Sequence, residues 1–214
     1  MKIIAPTNQH QVYAEWLKRE LYRVKPILPP DQVSMIENPN LKSVEENRKR
    51  EAMLLHEYKR SNILEELPTQ LVWYEATIGG EDLEKLFLLP VWDWFLDSGQ
   101  TFQLINVPSH LSPKRGHRLR RMPNHHRKIE MMPFSINNNM FALIMIASKP
   151  NGLYTIIEGT HCAVKLFMIN KLIGTRCFLG LTDDLSKCYW SIERTDLQTH
   201  LESLKQMVDF GLMW

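Results

Sequence analysis

The sequence predicts a mixed α/β fold (α+β), in which a small mixed β-sheet has flanking helices and follows an N-terminal helical region. Short runs rich in β-branched and aromatic residues, bounded by turn residues, predict strands at 71–78, 102–107, 141–147, 153–158 and 175–181. Apolar residues at helical spacing predict helices before and between these strands. We expect a helical region over residues 1–68 and a mixed α/β domain over residues 69–214.

Composition narrows the class of protein further. The chain has 214 residues, of which 44% are hydrophobic and 23% charged, as is typical of soluble globular proteins. Its longest apolar run, 140–147, is far shorter than the roughly 20 residues that cross a bilayer, so we expect no membrane partner. Three cysteines without regular spacing argue against a disulfide framework and favour a cytoplasmic location.

In the N-terminal region, residues 2–5 are either a short strand or an ordered tail. Thr7 or Asn8 can cap a helix that carries Val12, Trp16 and Leu21 on one face and ends before Pro26. The prolines that follow predict an irregular connector. Ser43 and Glu46 have capping-box spacing and open a long helix that stops before Pro68, and its many charges predict a solvated face.

The domain that follows alternates strands with short helices. Gly79 and Gly80 end the first strand, and a short helix runs from there through Phe87. The rings at 92–95 predict a helical turn in the core. Near the end of the chain we expect a further strand at 187–192 and a last helix capped by Asp196.

The most informative stretch is a hairpin followed at once by a helix. Asn151-Gly152 is a strong hairpin signal between the strands at 141–147 and 153–158. Gly159 breaks the second strand, Thr160 can cap, and an amphipathic helix follows. A glycine between a strand end and a helix N-terminus lets backbone N–H groups converge on an anion. The alternative is an ordinary junction that binds nothing.

The residues YTIIEGTHCAVKL resemble the phosphate-binding box of the ParB/sulfiredoxin superfamily. Glu158, Gly159, His161 and Ala163 match that box, whereas Cys162 stands where an arginine is usual. The resemblance implies a ParB/sulfiredoxin-like fold and a nucleotide ligand such as CTP, ATP or ADP, with a nucleoside triphosphate and Mg²⁺ as the candidate cofactor. It also implies nucleotide hydrolysis or phosphoryl transfer as a candidate activity.

Each residue of this box has a candidate role. We expect Gly159, Thr160 and Cys162 to bind phosphate through the backbone and the Thr160 hydroxyl, with Lys165 completing the phosphate-binding set. Glu158 and His161 are the candidate catalytic residues: the carboxylate could hold a metal ion or a ribose hydroxyl, and the imidazole could shuttle a proton. A Gly159→Ala change is expected to abolish binding and leave the fold nearly intact.

A basic loop at 108–133 is the second candidate site. Its positive residues are Lys114, Arg115, Arg118, Arg120, Arg121, Arg127 and Lys128. Such a cluster suits the phosphates of a nucleotide or of DNA or RNA, although the absence of aromatic residues argues against base stacking. A solvated loop is the alternative. No Cys/His spacing predicts a metal site, and a non-catalytic interaction protein with a degenerate pocket is the third interpretation, favoured by Cys162.

Overall fold

The structure is a computed structural model, and it describes residues 1–24, 28–58, 60–110, 128–129, 142–186 and 188–209. Within them a six-stranded mixed sheet has the order β1-β2-β6-β4-β5-β3. Its strands are β1 (Lys2–Pro6), β2 (Val72–Thr77), β3 (Leu86–Phe87), β4 (Leu143–Ala147), β5 (Tyr154–Glu158) and β6 (Arg176–Leu181). The predicted mixed α/β class and four of the six predicted strands are confirmed.

The pairing of the strands is mixed, as expected. β2 pairs antiparallel with β1 and β6, and β4 pairs antiparallel with β5. The β4–β6 and β3–β5 pairs are parallel. Between β4 and β5 the chain turns at residues 149–152, where Gly152 N donates to Lys149 O at 3.0 Å. The hairpin predicted from Asn151-Gly152 is therefore confirmed.

Helices cover both faces of this sheet. They are α1 (Gln9–Val24), α2 (Pro30–Glu37), α3 (Val44–Ala52), α4 (Ser61–Leu64), α5 (Trp92–Asp97), α6 (Val107–His110), α7 (Thr160–Met168) and α8 (Leu197–Asp209). A π-helical segment (Met53–Glu57) follows α3, and 3₁₀ helices span Gly80–Lys85 and Leu104–Asn106. None of the described helices combines the length and the apolar character needed to cross a membrane.

Two apolar cores lie on opposite faces of the sheet, because neighbouring residues of a strand point to opposite sides. Ile144 of β4 packs with Trp16 and Leu17 of α1. Its neighbour Met145 belongs to the other core, which includes Val164 of α7. The N-terminal helices, together with β1, thus share a core and a sheet with the residues that follow them.

The strand predicted at 102–107 is wrong. Phe102 has a left-handed φ of 58°, and Gln103 makes only an isolated antiparallel bridge to Phe87. Residues 104–110 form the 3₁₀ helix and α6. Phe102 and Leu104 are nevertheless fully buried. A short run of mixed apolar and polar residues does not distinguish a buried strand from a buried turn, and here core packing favoured the turn.

The strand predicted at 187–192 is also wrong. The described residues of this segment form turns, in which Ser191 N donates to Cys188 O at 3.0 Å. Ile192 N donates to the buried Thr155 hydroxyl at 2.9 Å. A side chain of β5 therefore takes the backbone donor that a strand would offer to a neighbouring strand.

Three helix predictions need adjustment. Ser43 caps α3 as expected, with its hydroxyl accepting from Glu46 N at 3.2 Å, but the π segment interrupts the long helix. Pro30 begins α2 where a connector was expected, as suits a residue whose φ is already helical. The short helix after Gly79 ends at Lys85, and Leu86–Phe87 adds the edge strand β3.

Candidate functional site

Gly159 joins β5 to α7 in a conformation that suits glycine alone. Its φ of 91° and ψ of 18° lie in the left-handed region, which costs a residue with a Cβ about 1–2 kcal/mol. An added Cβ would also lie 2.7 Å from Leu143 Cδ2 and would overlap the Arg19 guanidinium. Gly159 itself is the N-cap, and Ala163 N donates to its carbonyl at 2.8 Å, so the expected cap, Thr160, is instead the first helical residue.

Arg19, on α1, reaches this turn from a distant part of the sequence. Its Nη2 donates to Ala142 O at 2.8 Å, and its charge acts to lower the pKa of the nearby Cys162 thiol. The residue is only 8% exposed, and its Cζ lies 2.9 Å from the point that a Gly159 Cβ would occupy. The turn thus has an arginine beside it, supplied by α1, although position 162 is a cysteine.

A second arginine, Arg60, connects the Gly159 turn with α1 through ion pairs. Arg60 Nε donates to Glu20 Oε1 at 2.7 Å, and its Nη2 lies 3.5 Å from Glu158 Oε2. Glu20 is fully buried, so its charge depends on this partner. The cluster of Arg19, Glu20, Arg60 and Glu158, called the turn cluster below, contains two positive and two negative side chains.

The π segment determines where Arg60 lies. Tyr58 N donates to Met53 O at 3.0 Å and Arg60 N to Leu54 O at 2.9 Å, which are wider turns than those of an α-helix. Regular α-helical continuation of α3 would give residue 60 a different direction. The interruption therefore brings Arg60 to Glu20 and Glu158, and so completes the turn cluster.

Cys162 lies partly buried at the start of α7. Burial raises the pKa of its thiol above the usual range, and Glu158 acts in the same direction, against the lowering effect of Arg19. A thiol that stays protonated at neutral pH is a weak nucleophile. The geometry therefore gives Cys162 no nucleophilic role.

The two candidate catalytic side chains have different neighbours. The Glu158 carboxylate faces Arg60, whereas the His161 ring packs against Trp94 of α5, with ring centroids 5.1 Å apart. Trp94 belongs to the core on the α5 side of the sheet. Glu158 thus contacts the turn cluster, and His161 contacts a core residue.

The remaining residues of the predicted phosphate set are enclosed by the fold. Thr160 is buried, and Lys165 is only 5% exposed. A phosphate contact from Lys165 would therefore be made inside the protein. Among the described residues no three His, Cys, Asp or Glu side chains are grouped so as to hold a metal ion.

The basic loop falls largely outside the described residues. Its candidates there are Lys114, Arg115, Arg118, Arg120, Arg121 and Arg127. Lys128 is described and is exposed to solvent. The hypothesis of a nucleic-acid or phosphate contact by these residues stays a prediction.

Sequence reasoning missed Arg19, Glu20 and Arg60. One signal was present, because Glu20 follows Trp16 by four residues and so lies on the apolar face of α1. A charged residue on such a face needs a buried partner. The charge pattern places Arg60 among the solvated residues of its helix, and its interior contact depends on the π segment.

Comparisons with known proteins add no relative. No family model matches this chain, and no curated protein or solved structure is significantly similar to it. The resemblance to the ParB/sulfiredoxin box thus rests on the residues of β5, Gly159 and α7 themselves.

Proposed function

We propose that this protein binds a phosphate-bearing ligand of the nucleotide class at the Gly159 turn, as a ParB/sulfiredoxin-like protein. The observation that carries the proposal is the left-handed Gly159 between a buried strand and a helix start. This is the arrangement that the resemblance implies. The first N–H groups of a helix and its dipole favour a negative charge at this end.

The charges around the turn support a phosphate ligand. Arg60 reaches Glu158 beside the turn, and a guanidinium group is suited to phosphate oxygens. Arg60 is paired with the carboxylates of both Glu20 and Glu158. Replacing Cys162 by arginine would add the positive charge that the resembling box usually has.

The proposed function is ligand binding alone. Glu158 is a single carboxylate that is already paired with Arg60, so a Mg²⁺ ion would arrive on a triphosphate and not on a preformed protein site. Nucleotide hydrolysis or phosphoryl transfer by Glu158 and His161 is an extension of this proposal. It is tested by measuring inorganic phosphate released from ATP or CTP.

Thermal denaturation with added nucleotide tests the proposal. At a free ligand concentration 100 times Kd, binding to the native state adds about 2.7 kcal/mol to the free energy of unfolding. We expect a rise in Tm with CTP, ATP, GTP or ADP, and a larger rise in Cys162→Arg. The matched control is Met168→Arg, which places the same charge at an exposed position near the other end of α7.

One result would contradict the proposal. If no nucleotide changes the Tm of the wild type or of Cys162→Arg, with or without Mg²⁺, the turn binds no nucleotide. A non-catalytic interaction protein with a degenerate pocket would then be the better interpretation.

Nucleic-acid binding through the basic loop is the second candidate function. The cluster of seven Lys and Arg residues at 114–128 favours it, and Lys128 is accessible. Replacing Arg118, Arg120 and Arg121 by neutral residues should make the logarithm of the nucleic-acid binding constant fall less steeply with the logarithm of the salt concentration. On duplex DNA the slope should fall by about 0.9 for each phosphate that these arginines neutralise in the wild type. A wild-type protein that shifts no DNA or RNA in low-salt gels excludes this candidate.

A further inference from the structure

The space directly over the Gly159 turn is filled by the protein's own Arg19 side chain. The guanidinium lies against Gly159, where no Cβ could fit beside it. It is held there by a hydrogen bond from Nη2 to the carbonyl of Ala142. A phosphate that approached Gly159 from this side would need the same space.

Arg19 is a cation beside the N-terminus of α7. A helix N-terminus carries partial positive charge, and a cation beside it is disfavoured. Burial of the arginine and its bond to the Ala142 carbonyl keep the side chain in place. An anion bound at the turn would interact favourably with the helix N-terminus and would attract the guanidinium away from the Ala142 carbonyl. Both effects would disfavour the position of Arg19 against Gly159.

We propose that Arg19 is an internal gate, which closes the Gly159 turn in the free protein and swings off the turn when a ligand binds. This inference rests on the proposed function. Because Arg19 belongs to α1, the gate also links ligand binding to the N-terminal helical layer. A site that is open only part of the time binds with an affinity reduced by the open fraction.

Removal of the gate tests this proposal. Calorimetric titration with ATP and with inorganic phosphate should show tighter binding to Arg19→Ala than to the wild type, by about tenfold if the turn is open about 10% of the time. Arg19→Gln, which keeps a donor for Ala142 O but is shorter, should lie between the two. The control is Lys18→Ala, which removes an equal charge from the neighbouring, more exposed position of α1. Weaker binding to Arg19→Ala than to the wild type overturns the gate, since Arg19 would then be a direct ligand contact.

The rate at which Cys162 is alkylated tests the gate in the absence of any ligand. Peptide mass spectrometry after iodoacetamide treatment should show faster labelling of Cys162 in Arg19→Ala, with the buried Cys177 and Cys188 as internal controls. Loss of the arginine by itself would raise the thiol pKa and slow the reaction, so faster labelling reports opening. Equal or slower labelling overturns the gate. Faster labelling without binding of ATP or phosphate to either protein supports closure by Arg19 and contradicts the proposed function.

Discussion

Two glycine turns of this protein start helices with opposite charges beside them. At Gly79, before the 3₁₀ helix Gly80–Lys85, the Asp82 carboxylate accepts from Gly79 N at 2.7 Å and lies 2.5 Å from the Met1 α-ammonium. At Gly159 the side chain over the turn is the cation of Arg19. The first turn contains a buried anion at its helix start, whereas the cation of Arg19 lies against the second. This difference singles out Gly159 as the candidate ligand site.

A buried or partly buried cysteine lies near each turn, and the charges at the two turns shift the pKa values of these thiols in opposite directions. Burial is the main cause of a raised thiol pKa at both Cys177 and Cys162. Asp82 then raises the pKa of Cys177 further, while Arg19 lowers that of Cys162. The charged residue at each turn thus shifts the pKa of a neighbouring thiol.

Asp82→Ala should give the largest loss of stability. The carboxylate is fully buried, and its removal leaves the Met1 ammonium and the Gly79 N–H without this partner. Loss of one member of a buried ion pair costs about 3–5 kcal/mol. Urea denaturation measures the change, and a loss below that of an average surface substitution would show that the Gly79 turn does not depend on its anion.

Gly159→Ala should destabilise the protein by a smaller but clear amount. The left-handed backbone costs about 1–2 kcal/mol, and the close approach to Leu143 and Arg19 adds about 1–3 kcal/mol of overpacking. The structure therefore changes the expectation that this variant leaves the fold nearly intact. If Arg19 causes much of the cost, the double variant with Arg19→Ala should lose less than the sum of the single variants. Additive losses in urea denaturation would assign the cost to the backbone and Leu143.

Alkaline pH should destabilise the turn that contains the anion. The pKa of Cys177 is raised to about 12, above that of an unfolded thiol near 8.5, so the folded state binds more protons between these values. Its contribution to stability is complete below pH ~8.5 and decreases as pH rises, by about 2 kcal/mol at pH 10. Cys177→Ser, which can still donate to Ala76 O, should flatten the decrease. Identical pH profiles from urea denaturation of the two proteins would contradict the assignment.

Gly79→Ala should have the smallest effect. Its φ of −93° is open to any residue, and the atoms nearest to an added Cβ belong to the end of the flexible Glu81 side chain. We expect a change within about 0.5 kcal/mol, as for ordinary surface substitutions. A loss as large as that of Gly159→Ala would remove the distinction between the two turns.

Much of the fold near the candidate site could be predicted because its signals are local. The period of the apolar residues, the Asn151-Gly152 turn and the break at Gly159 each depend on a few neighbouring residues. The two strand predictions that failed, at 102–107 and 187–192, were short runs of mixed apolar and polar residues whose state depends on distant contacts. Buried Phe102 and the bond from Ile192 to Thr155 illustrate such contacts.

The sequence by itself determined the strand, the left-handed glycine and the helix of the candidate site, since backbone preference and apolar period act over short distances. Only the tertiary structure decided which charges surround them. Arg19 and Ala142, which hydrogen-bond beside the turn, are separated by 123 positions, and no local pattern relates them. The apolar face of α1 packs against the sheet, and this packing fixes the orientation of the helix. Arg19 is thereby placed beside the Gly159 turn, in which position 162 is a cysteine.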